Sequence, residues 1–515
     1  MKKDDIVWIK TQHGHTILND ENVHNVKTLL NNTGNGFCLA KFTQVTMHLG
    51  TGTTHSCHHP KPHPIPLEEI QPNPAALFNT KHLKEARKQM LNGEKPSECD
   101  YCWRIENNNG KSDRFFKSLE EWALPYHDKI QGTNPDSDFY PTYLEVDFSN
   151  VCNFNCAYCG PEYSTKWVED LKQNGPLKVL DNTKYVQWTN GWQNLDDLAY
   201  KNSENNPYLD AFWKWFPEAY KHLHVFRITG GEPLLSKQTF KSMDWFIDNP
   251  NPNLEFNINS NLGVPDKLWD LFIEKLKILS QGNYVKKVTI FTSVDTYGKQ
   301  AEYLRRGLDF ELFKKRYEQL LELNNVRAVI MCTFNILSVI NFKKLLEWVL
   351  ILKRKYNSNS AAVSWETSTK LKLSSTGKSF TERKQLSPSH VGICGIDIPY
   401  LRHPSCLDAK IISKDLLQQH FVPAINFMAE NTANHIWGSS QGFEDYELEK
   451  LKRIFMDIAH VPIDSHEIEI DRAKFYDFVN ELDTRNSKNF LEVFPEMKEF
   501  YNLCKIANCK IKGGP

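Results

Sequence analysis

An α/β fold built on a parallel sheet is what this sequence predicts. Two observations carry it: strand-like runs alternate with amphipathic helical stretches through the middle of the chain, and polar or metal-ligating residues stand where those runs end. Residues 143–148 (YLEVDF) alternate as a half-buried strand does. Runs at 225–229, 254–259, 288–294 and 327–334 follow, with 361–365 (AAVSW) as a sixth. Stretches with helical periodicity, such as 265–279 and 310–323, lie between them. Alternation of this kind calls for crossover helices on a sheet that is open or closed into a barrel. Active residues in such folds sit at the C-terminal ends of the strands.

Three zones divide the 515 residues. Residues 1–135 are loop-rich and heavy in His, Pro, Asn and Cys, with one clear helix at 80–92, and the turn-forming 132–141 (GTNPDSDFYP) closes them off. Residues 136–370 hold the alternating pattern. Residues 371–515 open on a Ser/Thr/Lys-rich linker or insertion and turn mostly helical. Lys+Arg 62 against Asp+Glu 63 gives no basic excess for a polyanion, so a nucleic-acid partner is not expected. The charged start is not followed by an apolar h-region, and the best apolar run, 346–352, is far too short for a membrane span. A cytoplasmic protein with no membrane partner is therefore expected. There, 12 cysteines at short spacings point to metal more than to disulfides.

Cys152, Cys156 and Cys159 follow directly after the first strand of the middle zone. Three soft thiolates on one loop suit an iron–sulfur centre or zinc. Structural zinc wants a fourth protein ligand, whereas an odd triad leaves one metal position open to bind and activate a small molecule. A zinc knuckle with a distant ligand, or three unrelated buried cysteines, are the other readings of the spacing.

CxxxCxxC with an aromatic residue, Tyr158, before the last cysteine resembles the signature of the radical S-adenosylmethionine (SAM) superfamily. The resemblance implies a partial (β/α)6 barrel. It also implies a 4Fe-4S cluster on Cys152, Cys156 and Cys159 whose open iron chelates the amino and carboxylate groups of SAM, with reductive cleavage to a 5′-deoxyadenosyl radical. Further motifs match the family in order. Gly230, Gly231, Glu232 and Pro233 follow the second strand, where the family holds the SAM amino group. Asn259, Ser260 and Asn261 end the third strand, and Ser293 and Asp295 the fourth, where the family holds ribose hydroxyls. Arg305 matches the family's arginine toward the SAM carboxylate, and Tyr158 is implied to lie against the adenine. Strand-end caps, a solvated Arg305–Arg306 pair and ordinary core packing are the plainer readings of these residues.

Cys99 and Cys102 form a CxxC, with Cys38 and Cys57 upstream; together they can make an all-thiolate site for zinc or an iron–sulfur cluster. The surrounding Phe78, Thr80, Lys84, Arg87, Gly93, Pro96, Trp103 and Glu106 resemble the twitch/SPASM-type radical SAM proteins, which carry an auxiliary iron–sulfur cluster. Residues 160–167, beginning Gly160-Pro161, and 482–485 with 493–496 resemble the same group. Cys57 departs from it, being followed by His58 and His59, and His55, His58 or His59 can substitute as a ligand. Cys332 reads as a small buried hydrophobe, and Cys394, Cys406, Cys504 and Cys509 as free or packed thiols.

The resemblance thus implies an enzyme that uses SAM, a reductant such as flavodoxin or ferredoxin, and a peptide or protein as substrate. The other readings are a small-molecule or sugar substrate, and a non-catalytic zinc or iron–sulfur binding protein.

Overall fold

A computed structural model of the chain describes residues 20–180, 199–201, 204–281, 283–357, 393–433, 441–462 and 465–513, with 9–10, 16–17, 195, 372–373 and 379–380. The expected strand at 361–365 and most of the Ser/Thr/Lys-rich linker lie outside these residues. One mixed sheet organises the fold. Its strands are β1 (Gln44–His48), β2 (Thr53–His55), β3 (His63–Pro64), β4 (Tyr143–Asp147), β5 (Val225–Thr229), β6 (Asn251–Ser260), β7 (Val285–Ser293), β8 (Val326–Met331) and β9 (Ile393–Asp397). Their spatial order is β9-β8-β7-β6-β5-β4-β1-β2-β3. The seven strands from β9 to β1 are mutually parallel, and β2 and β3 add an antiparallel margin.

From β4 to β9 each strand lies beside its predecessor with no reversal of direction. The helices include α1 (Lys81–Leu91), α2 (Asp100–Asn107), α3 (Thr165–Asn174), α4 (Pro207–Tyr220), α5 (Lys237–Asp248), α6 (Asp266–Leu279), α7 (Phe310–Leu321), α8 (Phe342–Tyr356), α9 (Asp445–Ala459), α10 (His466–Asn486) and α11 (Lys498–Ile511). Helices α5, α6 and α7 are the crossovers between consecutive strands from β5 to β8. Right-handed crossovers that always step the same way put their helices on one face of the sheet.

The strand sequences match that one-sided covering. Leu144, Val146, Phe226, Ile228, Phe256 and Ile258 are all fully buried, and they alternate with polar neighbours. Each such side chain contributes about 1.5–3 kcal/mol by leaving water. On the other face Glu145, Arg227, Asn257, Thr289 and Arg327 stand in one register row across β4 to β8. Arg227 donates from Nε and Nη2 to Asn259 Oδ1 at 3.2 and 3.0 Å and lies 3.8 Å from Glu145 Oε2. The sheet therefore has an apolar face closed by helices and a charged face.

Five of the expected strands appear within a few residues of their predicted limits. Two parallel strands do not appear among the predictions: β1, inside the zone read as loops, and β9, beyond the linker. The expected helices appear as α1, α6 and α7, with Thr80 Oγ1 accepting from Leu83 N at 3.1 Å to start α1 and Asp309 capping α7. Cys332 is fully buried, as read, and no helix among the described residues is long and apolar enough to cross a membrane.

At the β9 edge, Lys353 of α8 and Glu447 of α9 form an ion pair with both side chains fully buried, at 3.1 and 3.0 Å. Glu447 also accepts from Ile396 N at 3.0 Å and Glu444 N at 2.8 Å, tying two helices to the last strand. Breaking one half of such a pair strands a charge. Glu447→Ala should cost roughly 3–5 kcal/mol in urea unfolding, and replacing both partners by apolar residues far less; equal losses from the two would contradict this.

Candidate functional site

The loop between β4 and α3 carries the cysteine triad, and its shape is set by bonds to three other strand ends. Asn155 and Cys156 pair antiparallel with Arg306 and Arg305, and Ala157 N donates to Leu304 O at 2.8 Å. Phe154, 1% exposed, anchors the loop in the core; Gly263 and Gly307 leave room for its ring. Trp167 of α3 donates from Nε1 to Cys156 O at 2.9 Å. Cys156 is buried and Cys152 and Cys159 are half-buried, none of them in a disulfide. Burial pushes all three thiols up, Cys159 to about 12, because a bare thiolate loses its hydration here. Such thiols stay protonated until a cation replaces the proton.

The Gly-Gly-Glu-Pro turn packs directly on this loop. Gly231 N donates to Ser149 O at 3.2 Å and Glu232 N to Val151 O at 2.7 Å. A Cβ on Gly231 would lie 2.4 Å from Val151 O, and one on Gly230, where φ is +110°, 2.2 Å from Asp147 Oδ1. Only glycines permit this contact. Glu232, 2% exposed, is a hub: Oε1 accepts from Leu234 N at 3.0 Å and Ser260 Oγ at 2.8 Å, and Oε2 from Asn261 N at 2.6 Å. Pro233 is buried beneath it. Asn261 reaches on to Asn153 Oδ1 at 3.0 Å and lies 3.9 Å from Cys152 Sγ. The triad, the glycine turn and the Ser260–Asn261 strand end are therefore one hydrogen-bonded unit. Asn259 sits one step back, engaged by Arg227.

Asp295 and Arg305 close the other side. Asp295, 1% exposed, takes Arg305 in a two-point ion pair, accepts from Tyr158 OH at 2.9 Å and from Thr333 N at 2.9 Å. Ser293 is half-buried at the end of β7, two residues before Asp295.

The four amino-terminal cysteines also meet. Cys38, Cys57, Cys99 and Cys102 line one recess with Lys41, His59, Asp113, Arg114 and Lys117. Cys38 stands just before the short turn that enters β1, Cys57 follows β2, and Cys99 and Cys102 flank the start of α2. Burial pushes all four thiols up, Cys99 and Cys102 to about 12. Lys41, 2% exposed, pairs with Glu98 beside them. Of the three histidines, His59 lines the recess with Nε2 2.9 Å from Asp113, while His58 lies 3.3 Å from Lys117 Nζ and His55 bonds the Cys57 carbonyl. Among the described residues no three His, Cys, Asp or Glu side chains surround a single metal-ion position.

The residues that resemble the twitch/SPASM group brace these loops. Arg87, fully buried, donates to Phe78 O, Asn79 Oδ1 and Lys41 O at 3.0, 2.8 and 3.1 Å. Arg485 of α10 donates to Asp170, Gly175 O and Pro176 O at 2.5, 2.9 and 2.9 Å, holding the end of α3. Cys394, Cys406 and Cys504 are packed in the core, and Cys509 is exposed.

One feature between the two cysteine sites has no sequence motif. His48 Nδ1 lies 3.3 Å from Asp147 Oδ2, and its Nε2 lies 3.2 Å from His55 Nε2. This chain of polar side chains runs from the glycine turn to Cys57. A His directly after Met47, on the strand face opposite Val45 and Met47, is the only hint the sequence offers.

Burial pushes the Glu232 carboxyl up to about 7 against the pull of its three donors. Between pH 4.5 and 7 the folded protein then holds a proton that the unfolded chain has lost, so this group's contribution to stability falls as pH rises through that window. Wild type should lose stability relative to Glu232→Gln from pH 4.5 to 7, read as the difference between their thermal midpoints. His58 and His63, held low by burial, act in the opposite sense but cancel in that difference; a pH-independent difference would show Glu232 fully ionised. No family model, curated protein or solved structure matches the chain.

Proposed function

We propose that this protein is a radical SAM enzyme, acting on a parallel sheet wound as a partial (β/α)6 barrel. The observation that carries the reading is the hydrogen-bonded unit of the Cys152–Cys159 loop, the glycine turn and Asn261 at the C-terminal strand ends. That is where a fold of this type gathers its chemistry. The donor set fits a 4Fe-4S cluster: three desolvated thiols on one loop, none in a disulfide, with no fourth cysteine on it. When bound, the cluster and SAM supply reductive cleavage to a 5′-deoxyadenosyl radical, which removes hydrogen from a substrate.

The chain's own residues then do the rest. Cys152, Cys156 and Cys159 hold the cluster. Glu232 fixes the glycine turn rather than offering a free carboxylate, because both its oxygens are already used. Glycines 230 and 231 let the turn close on Asp147 and Val151 and so hold it against the cysteine loop. The charged face of the sheet, with Glu145, Arg227 and Asn259, is where a polar substrate would be oriented. The four thiols at the amino-terminal recess fit an auxiliary iron–sulfur cluster by donor chemistry. A peptide or protein is the substrate class we favour, on the resemblance of the amino-terminal zone, and flavodoxin or ferredoxin the reductant. Twelve cysteines with no disulfide among them support a reducing compartment such as the cytoplasm.

Anaerobic protein reconstituted with iron and sulfide, then given SAM and dithionite, should form 5′-deoxyadenosine. Replacing Cys152, Cys156 and Cys159 by Ala should bring that to background, whereas Cys99→Ala with Cys102→Ala should leave uncoupled cleavage in place. Formation that survives loss of the triad, or none at all from wild type, would sink the proposal.

A further inference from the structure

The resemblance assigns Arg305 to the carboxylate of SAM, but its guanidinium is already committed. Nε donates to Asp295 Oδ2 at 2.9 Å and Nη2 to Asp295 Oδ1 at 3.0 Å. Nη2 also donates to the Tyr158 hydroxyl, and Nη1 lies 3.5 Å from Cys156 Sγ. A guanidinium has five N–H groups, and a two-point grip on a carboxylate needs two of them side by side. Four are spoken for here. The fifth, on Nη1, cannot make that grip alone.

The commitment is also hard to undo. Arg305 is 7% exposed and Asp295 1%, so parting them would leave two desolvated charges. Asp295 is itself fixed by Thr333 N at 2.9 Å and by Tyr158 OH at 2.9 Å. The Arg305 backbone pairs with Cys156, so moving this residue would disturb the cysteine loop as well.

We propose that Arg305 is a positioning residue for the first cluster: held by Asp295 and Tyr158, it hydrogen-bonds the Cys156 sulfur and raises the potential at which that cluster accepts an electron, while other groups take the SAM carboxylate. A hydrogen bond to a ligating sulfur withdraws charge from it and favours the more negative, reduced form. This rests on the function proposed above, and the measurements separate the two.

Wild type, Arg305→Met and Arg305→Lys would be reconstituted and compared by a reductive titration followed by electron paramagnetic resonance, and by equilibrium binding of SAM. Arg305→Lys keeps a cation beside Asp295, so it remains informative where Arg305→Met fails to fold. The midpoint should become more negative in both variants, with the SAM dissociation constant within about twofold of wild type. A rise of about tenfold or more in that constant, or an unmoved midpoint, overturns the role given to Arg305 and leaves the function standing. A wild type with no reducible cluster overturns both.

Discussion

Parallel pairing is the constraint on which everything else here depends. Seven strands run the same way, so their C-terminal ends all emerge along one margin. Loops that are far apart in sequence are thereby delivered to one place: the cysteine loop after β4, the glycine turn after β5, Ser260 and Asn261 at the end of β6, and Asp295 after β7. The sheet's two faces divide the labour. The apolar face is sealed by helices and supplies stability, which frees the other face to carry Arg227, Glu145 and Asn259. The strand β1 extends this arrangement to the amino-terminal zone, since Cys38 precedes it and Cys57 follows its hairpin with β2. Two groups of cysteines thus hang from one sheet.

Burial of charge is the second theme. Around the triad, Glu232 is stabilised by three donors and Arg305 by Asp295, and each is nearly inaccessible to water. These groups cannot move cheaply, which makes the loop that bears the thiols rigid. The thiols themselves are the exception. Seven of them are desolvated, and their raised affinity for protons is the property that would favour exchange of those protons for metal. Around the amino-terminal recess, Lys41, Arg114 and Lys117 offset the charge that four thiolates would bring.

Much of this was legible in the sequence where signals are local. The alternation of residues 143–148 and 225–229 gave strands because their apolar positions all face one side. The spacing of Cys152, Cys156 and Cys159, and the glycines before Glu232, are readable because the chemistry needs those residues in a fixed short span. Two strands were missed for opposite reasons. In β1, only Val45 and Met47 mark the period, amid Asn-, His- and Pro-rich surroundings, and its parallel partner lies some hundred residues on. In β9, Gly395 interrupts the pattern after a long polar stretch. The contacts of His48 with Asp147 and His55, and the capture of Arg305 by Asp295, are products of tertiary packing. Motif matching places Arg305 near a ligand; only the fold reveals that its donors are already used.

The central claim is that the two groups of cysteines hold iron–sulfur clusters and that the first binds SAM. Mössbauer spectroscopy with metal quantitation on anaerobically purified, iron-57-reconstituted protein tests it most directly. The account predicts two 4Fe-4S clusters per chain, roughly eight irons, with one spectrum changing when SAM is added. Zinc in place of iron at the triad, or clusters whose spectra ignore SAM, would contradict it.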